Sequence, residues 1–124
     1  MNRALNASVI AIAVTIFALA VTIYIALPDL CANDLLESSY APDRARKVVL
    51  FRRNCGATTG NSYQISVVSP NMQLNDNWTG NVYIADDRPK RVAWAADTAI
   101  LVEETVTRSY KRETRFSGVQ VGYE

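Results

Sequence analysis

The chain of 124 residues contains no histidine. That absence removes Cys-His and Ser-His nucleophilic catalysis, the usual zinc ligand sets and the commonest general base near neutral pH. Only two cysteines are present, and no block of like charge occurs. Thirteen Lys and Arg stand against twelve Asp and Glu. So even a balance leaves no electrostatic case for nucleic acid as a partner. The most telling lack is local. From Ala7 to Leu27 the sequence reads ASVIAIAVTIFALAVTIYIAL, without a charge, Asn, Gln, Gly or Pro.

As an α-helix rising about 1.5 Å per residue, that run reaches roughly 31 Å, enough to cross the hydrocarbon core of a bilayer. The expected organisation is a short N-terminus over 1–6, a transmembrane helix over 7–27 and one small domain over 28–124. Arg3 precedes the run. The segment from Pro28 to Pro42 carries Asp29, Asp34 and Glu37 but no Lys or Arg, which keeps the N-terminus cytoplasmic and exports the domain. Arg44, Arg46 and Lys47 lie just beyond that window and oppose it. A cleaved signal peptide is the competing reading, but its apolar core would span only about 7–15 residues. Its small-x-small candidate, Ala18-Leu19-Ala20, is embedded in apolar sequence, and Leu30 before Cys31 is a poor fit to a lipid-attachment site. The reading adopted is an uncleaved anchor.

Both cysteines fall in the exported part, where an even count reads as a disulfide, and Cys31–Cys55 is the single possible pairing. Closing that loop of about 25 residues contributes roughly 3–4 kcal/mol in the chain-entropy model. Two free thiols in a cytoplasmic domain are the alternative. Within the anchor, Ala7, Ala11, Thr15, Ala18, Thr22 and Ala26 share one helical face, on which small side chains let a second helix approach closely. The same spacing also arises by chance in unselective anchors.

The domain reads as short strands. A hairpin is expected from about Leu35 to Phe51, turning at Pro42-Asp43 and ending in KVVLFRR at Lys47–Arg53. The alternation in Ser62–Val68 predicts a half-buried strand, with Tyr63, Ile65 and Val67 on one face and Gln64 and Ser66 on the other. A long loop over 69–80 leads to a short strand in Asn81–Ala85 and a charged turn, DDRPK. A second hairpin pairs Arg91–Ala95 with Ala99–Thr105. Tyr110–Phe116 is charged and extended, and Val119, Val121 and Tyr123 alternate after Gly118. Closely spaced strands of this kind predict a mostly antiparallel β sheet or sandwich behind the helix.

The string Cys55-Gly56-Ala57-Thr58-Thr59-Gly60 between two strands, followed by NVYIAD at Asn81–Asp86 and by Val92-Ala93-Trp94, resembles a group of small uncharacterised bacterial exported proteins. The likeness covers about Cys31 to Tyr123. Members are typically anchored by one apolar N-terminal segment or a lipid, so the resemblance implies a bacterial envelope protein; with the orientation expected from the flanking charges, the anchor would lie in the inner membrane and the domain in the periplasm. The resemblance brings no activity with it. One departure is Arg44, where the related turn usually has Gly after Pro-Asp.

Candidate chemistry is sparse. The loop around 52–60 offers Arg52 and Arg53 for an anion, hydroxyls on Thr58 and Thr59, and flexible backbone at Gly56 and Gly60. It opens a strand rather than a helix, unlike a phosphate-cradling loop, and a disulfide-pinned turn whose Thr side chains bond their own backbone is the favoured reading. Asp86-Asp87 and Glu103-Glu104 are adjacent pairs whose side chains face opposite ways in a strand. Asn71, Asn75, Asp76 and Asn77 bring one carboxylate, too little charge for calcium. Trp94 is expected to pack inward with Val92, and Trp78 in its polar loop is a candidate contact for a partner. Arg108, Lys111, Arg112 and Arg115, with Glu113 among them, read as a solvated strand face, the alternatives being a contact for anionic lipid headgroups or an acidic partner. The expected function is a non-enzymatic, membrane-anchored accessory or interaction protein. It would use no cofactor or metal, with the lipid bilayer and another membrane protein as its partners. The alternative is a periplasmic domain that binds a small ligand or anion at the loop 52–60.

Overall fold

The computed structural model describes residues 2–26, 31–56, 60–105 and 108–124. It divides into two compact units, Met1–Leu30 and Cys31–Glu124. The first is one α-helix, α1 (Asn2–Ala26), whose apolar side chains are exposed along its length. By length and composition its segment Asn6–Ile25 is able to cross a membrane. Leu27, the last residue of the expected span, lies outside the described residues.

The second unit is a two-sheet β sandwich. One sheet contains β1 (Ala32–Tyr40), β2 (Lys47–Asn54), β3 (Asn61–Val68), β4 (Tyr83–Ala85) and β7 (Ser109–Arg112), side by side in the order β1-β2-β3-β4-β7. The other contains β5 (Arg91–Ala96), β6 (Ala99–Glu103), β8 (Arg115–Phe116) and β9 (Val119–Tyr123), in the order β5-β6-β9-β8. Every pairing is antiparallel except β6 with β9, which run parallel with Ile100 opposite Val121. The stretch 110–116, read as one extended segment, is divided between the two sheets.

Both sheets feed one core. Val48 and Leu50 of β2, Ile65 and Val67 of β3, Tyr83 and Ala85 of β4, Ile100 and Val102 of β6, and Val119 and Val121 of β9 form a single buried cluster. Each pair is two residues apart, the period that places side chains on the same face of a strand. Val92 and Trp94 pack against this cluster from β5, as expected of them.

The first sheet is also covered on its other face, which alternation alone did not anticipate. Val49, Phe51 and Arg53 of β2 lie opposite Ser66, Gln64 and Ser62 of β3, and Phe51, Gln64 and Ser66 are all buried. β3 is therefore buried on both faces instead of one. The cover is the segment between β3 and β4. The Gly80 amide donates to Gln64 Oε1 at 2.6 Å, and the Asn81 amide donates to Ser66 Oγ at 3.1 Å. The Asn81 carboxamide pairs with both the amide and the carbonyl of Val67 at 2.9 Å. Polar side chains enter the interior here because backbone groups of the loop satisfy them. Glycine is required at position 80, since a Cβ would fall 2.5 Å from the Tyr83 carbonyl oxygen and 2.9 Å from Gln64 Cβ.

The β1–β2 turn keeps its tightness without the glycine that the resemblance would place at 44. Arg44 adopts φ 59°, its amide donates to the Ala41 carbonyl at 2.8 Å, and its guanidinium lies 4.5 Å from the Tyr40 ring centre. A left-handed backbone at a non-glycine residue carries a strain cost.

Candidate functional site

The paired strands β1 and β2 converge at their open end on the disulfide Cys31–Cys55, the pairing expected from the sequence. Just inside it, Arg53 is only 7% exposed. Its Nη1 donates to Asn33 Oδ1 at 3.0 Å, to the Asp76 carbonyl at 2.9 Å and to the Trp78 carbonyl at 2.8 Å. Asn33 completes the clasp by donating from Nδ2 to the carbonyls of Asn75 and Trp78, and from its amide to Asp76 Oδ1. The result is a fastener between β1, β2 and the covering loop. It places Asn75, Asp76 and Trp78 in structural roles, and Trp78 is half-buried there.

Arg52, one residue earlier in β2, faces the other way and donates to Asp34 Oδ2 at 2.8 Å. That hydrogen bond, reinforced by the nearby carboxylate charge, raises the pKa of an already permanent cation. The two arginines of the expected anion loop thus point from opposite faces of one strand, as consecutive residues in a strand must, and each already holds internal acceptors. Thr58 and Thr59 lie outside the described residues. The Gly56 amide, at the start of the loop, donates to Asn54 Oδ1 at 2.9 Å.

Other charged groups are similarly engaged. Arg88 pairs with Glu37 at 3.2 Å and Arg112 pairs with Glu104 at 2.9 Å while lying 4.0 Å from the ring centre of Tyr123. Lys111 donates to the Gly80 carbonyl at 3.2 Å. Of the cationic set near the C-terminus, Lys111 and Arg112 therefore bind within the domain. Tyr110 hydrogen-bonds Asp86, which raises the phenol's pKa. Among the described residues no three Cys, Asp or Glu side chains gather in a way that would hold a metal ion.

Crevices among the described residues include two of similar size. The first, of about 300 Å³, lies in the seam where β1 of one sheet meets β5 of the other, with Val48, Leu50 and Val92 at its base and Glu37, Ser38 and Ser39 at its rim. Three ties bridge this flank: Arg88 to Glu37, Trp94 Nε1 to the Ser39 carbonyl at 3.0 Å, and the Asp43 amide to Asp97 Oδ1 at 2.9 Å. The second, of about 340 Å³, lies between the end of β3 and the β8–β9 turn, and Arg46 lines it. Sequence reasoning noted Arg46 only as a charge near the anchor. No sequence signal shows whether an arginine lacks an acceptor in the fold.

The chain matches no protein-family model, no curated protein and no solved structure.

Proposed function

We propose that the protein is a membrane-anchored accessory of the bacterial cell envelope that works by contact with a partner and not by catalysis. In this reading α1 crosses the inner membrane with its N-terminus in the cytoplasm, and the sandwich stands in the periplasm. The reading would place the chain with the exported proteins that its Cys55–Gly60 string resembles. The observation that carries it is a helix whose span Asn6–Ile25 carries no charge and exposes its apolar side chains, directly ahead in sequence of a disulfide-closed domain. Apolar surface of that extent calls for lipid or another helix around it. A disulfide persists in an oxidising compartment, which supports export.

The helix face through Ala7, Ala11, Thr15, Ala18 and Thr22 is the proposed contact with a second membrane protein; Ala26, at its end, has no described side chain. Thr15 and Thr22 donate to the carbonyls of Ala11 and Ala18, both at 2.8 Å. With those hydroxyls satisfied within the helix, the face offers close van der Waals approach rather than hydrogen bonds. The second reading, an anion site at 52–60, gains no support from Arg52 and Arg53, whose guanidiniums serve Asp34 and the Asn33–Trp78 clasp.

The test is site-specific photocrosslinking in intact membranes from positions 11 and 18 of α1 and position 35 of the domain, followed by mass spectrometry. The expected result is one recurrent membrane protein captured through the helix. The capture should be lost when Ala11, Thr15 and Ala18 are all replaced by Leu. Lipid adducts alone, or a complex unchanged in size after the triple replacement, would contradict the reading.

A further inference from the structure

The two sheets differ in what lies outside them. The segment between β3 and β4 covers the outer face of the first. In the second, Val92, Ile100, Val102 and Val121 belong to the core or pack against it. Their strand neighbours Arg91, Ala93, Leu101, Glu103 and Gly122 therefore share the outward face. No described loop reaches Gly122. A Cβ built there would meet only Leu101 Cδ1, at 3.3 Å, and the Ile100 carbonyl oxygen, at 3.8 Å. Leu101 thus stands as a ridge beside Gly122. Along its other side, over Ala93, lies a hollow of about 200 Å³ edged by Arg91, Trp94 and Glu103.

The cross-strand pairs on this face join unlike residues. Arg91 stands opposite Glu103, and Ala93 opposite Leu101. The salt bridges among the described residues belong to Arg52, Arg88 and Arg112, so the charges of Arg91 and Glu103 are uncommitted. Such a face is complementary to itself. A half-turn about an axis along the strands, midway between β5 and β6, lays β5 of a second copy over β6 of the first. Arg91 then meets Glu103 of the second copy, and Leu101 enters the hollow over Ala93. Each contact occurs twice, as an isologous interface requires. Sheets packed face to face with aligned strands meet in this way, about 10 Å apart. We infer that the outer face of β5 and β6 binds a second copy of this chain. Opposite charges side by side suit this occupant better than a ligand of one sign. The overlap centres on two strands, small beside the roughly 800 Å² per partner of a stable soluble dimer. The pairing therefore depends on confining both chains to one membrane, which raises their effective concentration. It rests on the anchoring proposed above and is separate from the contact through α1.

The test reconstitutes the full chain, with a donor or an acceptor dye at its N-terminus, into phosphatidylcholine vesicles at low protein density. Energy transfer between parent chains is expected to exceed that of chance proximity. Arg91→Glu alone and Glu103→Arg alone bring like charges together, and each is expected to weaken association about tenfold or more. A donor-labelled Arg91→Glu chain mixed with an acceptor-labelled Glu103→Arg chain regains opposite charges at both contacts. Transfer in that mixture should return to the parent level, which also shows that both variants fold. Ala93→Phe fills the hollow without touching a charge and is expected to weaken association comparably. Parent transfer no greater than chance, transfer indifferent to these variants, or a mixture no better than either charge variant alone would overturn the inference. Indifference to them with loss on replacing Ala11, Thr15 and Ala18 by Leu would assign the pairing to α1 instead. Release of the chain from the vesicles by carbonate would overturn the anchoring and this inference together. Retained chains whose transfer ignores the charges would overturn this inference alone.

Discussion

The indole Nε1 of Trp94 donates to the Ser39 carbonyl at 3.0 Å, joining the outer edge of β1 in one sheet to β5 in the other. It is the middle of three ties along that flank, with Arg88–Glu37 on one side and Asp43–Asp97 on the other. A sheet edge left open invites pairing with other chains, and these ties close part of it. Replacing Trp94 with Phe keeps an aromatic ring but deletes the donor. The variant is expected to lose about 1–2 kcal/mol of unfolding free energy in a urea titration.

Arg53 and Arg52 adjoin in sequence but differ in what they hold up. Removing Arg53 strands the Asn33 carboxamide and the carbonyls of Asp76 and Trp78 in a half-buried clasp. Arg53→Ala is expected to cost about 2–4 kcal/mol, read as a lower urea midpoint. Arg52→Ala removes an exposed ion pair and should barely move the midpoint.

The disulfide spans a sequence separation of 24 residues and closes the hairpin at the end where β1 and β2 begin and finish. Reduction is expected to lower stability by about 3 kcal/mol through the freedom returned to the unfolded chain. Denaturation with and without a phosphine reductant measures this directly, and the Cys31→Ser, Cys55→Ser double variant should match the reduced protein.

The strands, both hairpins and the disulfide were legible because each has a local signature. Val48 and Leu50, or Ile100 and Val102, repeat at the strand period, and Pro42-Asp43 marks its turn. What escaped depends on contacts distant in sequence. Gln64 and Ser66 read as solvent-facing because alternation cannot show that Gly80 and Asn81 return to cover them. The parallel pairing of β6 with β9 joins strands separated by two others, which no periodicity encodes. Arg44 holds a turn that its residue type argues against, since hydrogen bonds from both sides of the hairpin fix the backbone. Of the candidate site, the cysteine pairing was legible. That Arg53 is a fastener and Nη1 of Arg46 a buried donor without an acceptor was not, because an arginine's partners are set by the whole fold.

Alkaline pH supplies a further test. Burial pushes the Tyr123 phenol above its ordinary value of 10.0, with neighbouring Arg112 opposing the shift, and burial raises Tyr83 as well. Tyr123 also donates to the Glu113 carbonyl at 2.6 Å, which requires the protonated phenol. Below about pH 10 both states bind these protons and stability is unaffected. Above it the unfolded chain ionises first while the native tyrosines stay neutral, so stability falls as pH rises. Denaturation midpoints between pH 8 and 11 should show that decline, and Tyr123→Phe should flatten it.

The most direct measurement is proteolysis of the native chain carrying an epitope at its C-terminus, in spheroplasts and in inverted inner-membrane vesicles side by side. An anchored protein with its domain outside the cytoplasm predicts that spheroplasts lose the epitope to added protease, that inverted vesicles protect it, and that the chain resists carbonate extraction. Protection in spheroplasts with loss in inverted vesicles, or release of the chain by carbonate, would contradict it.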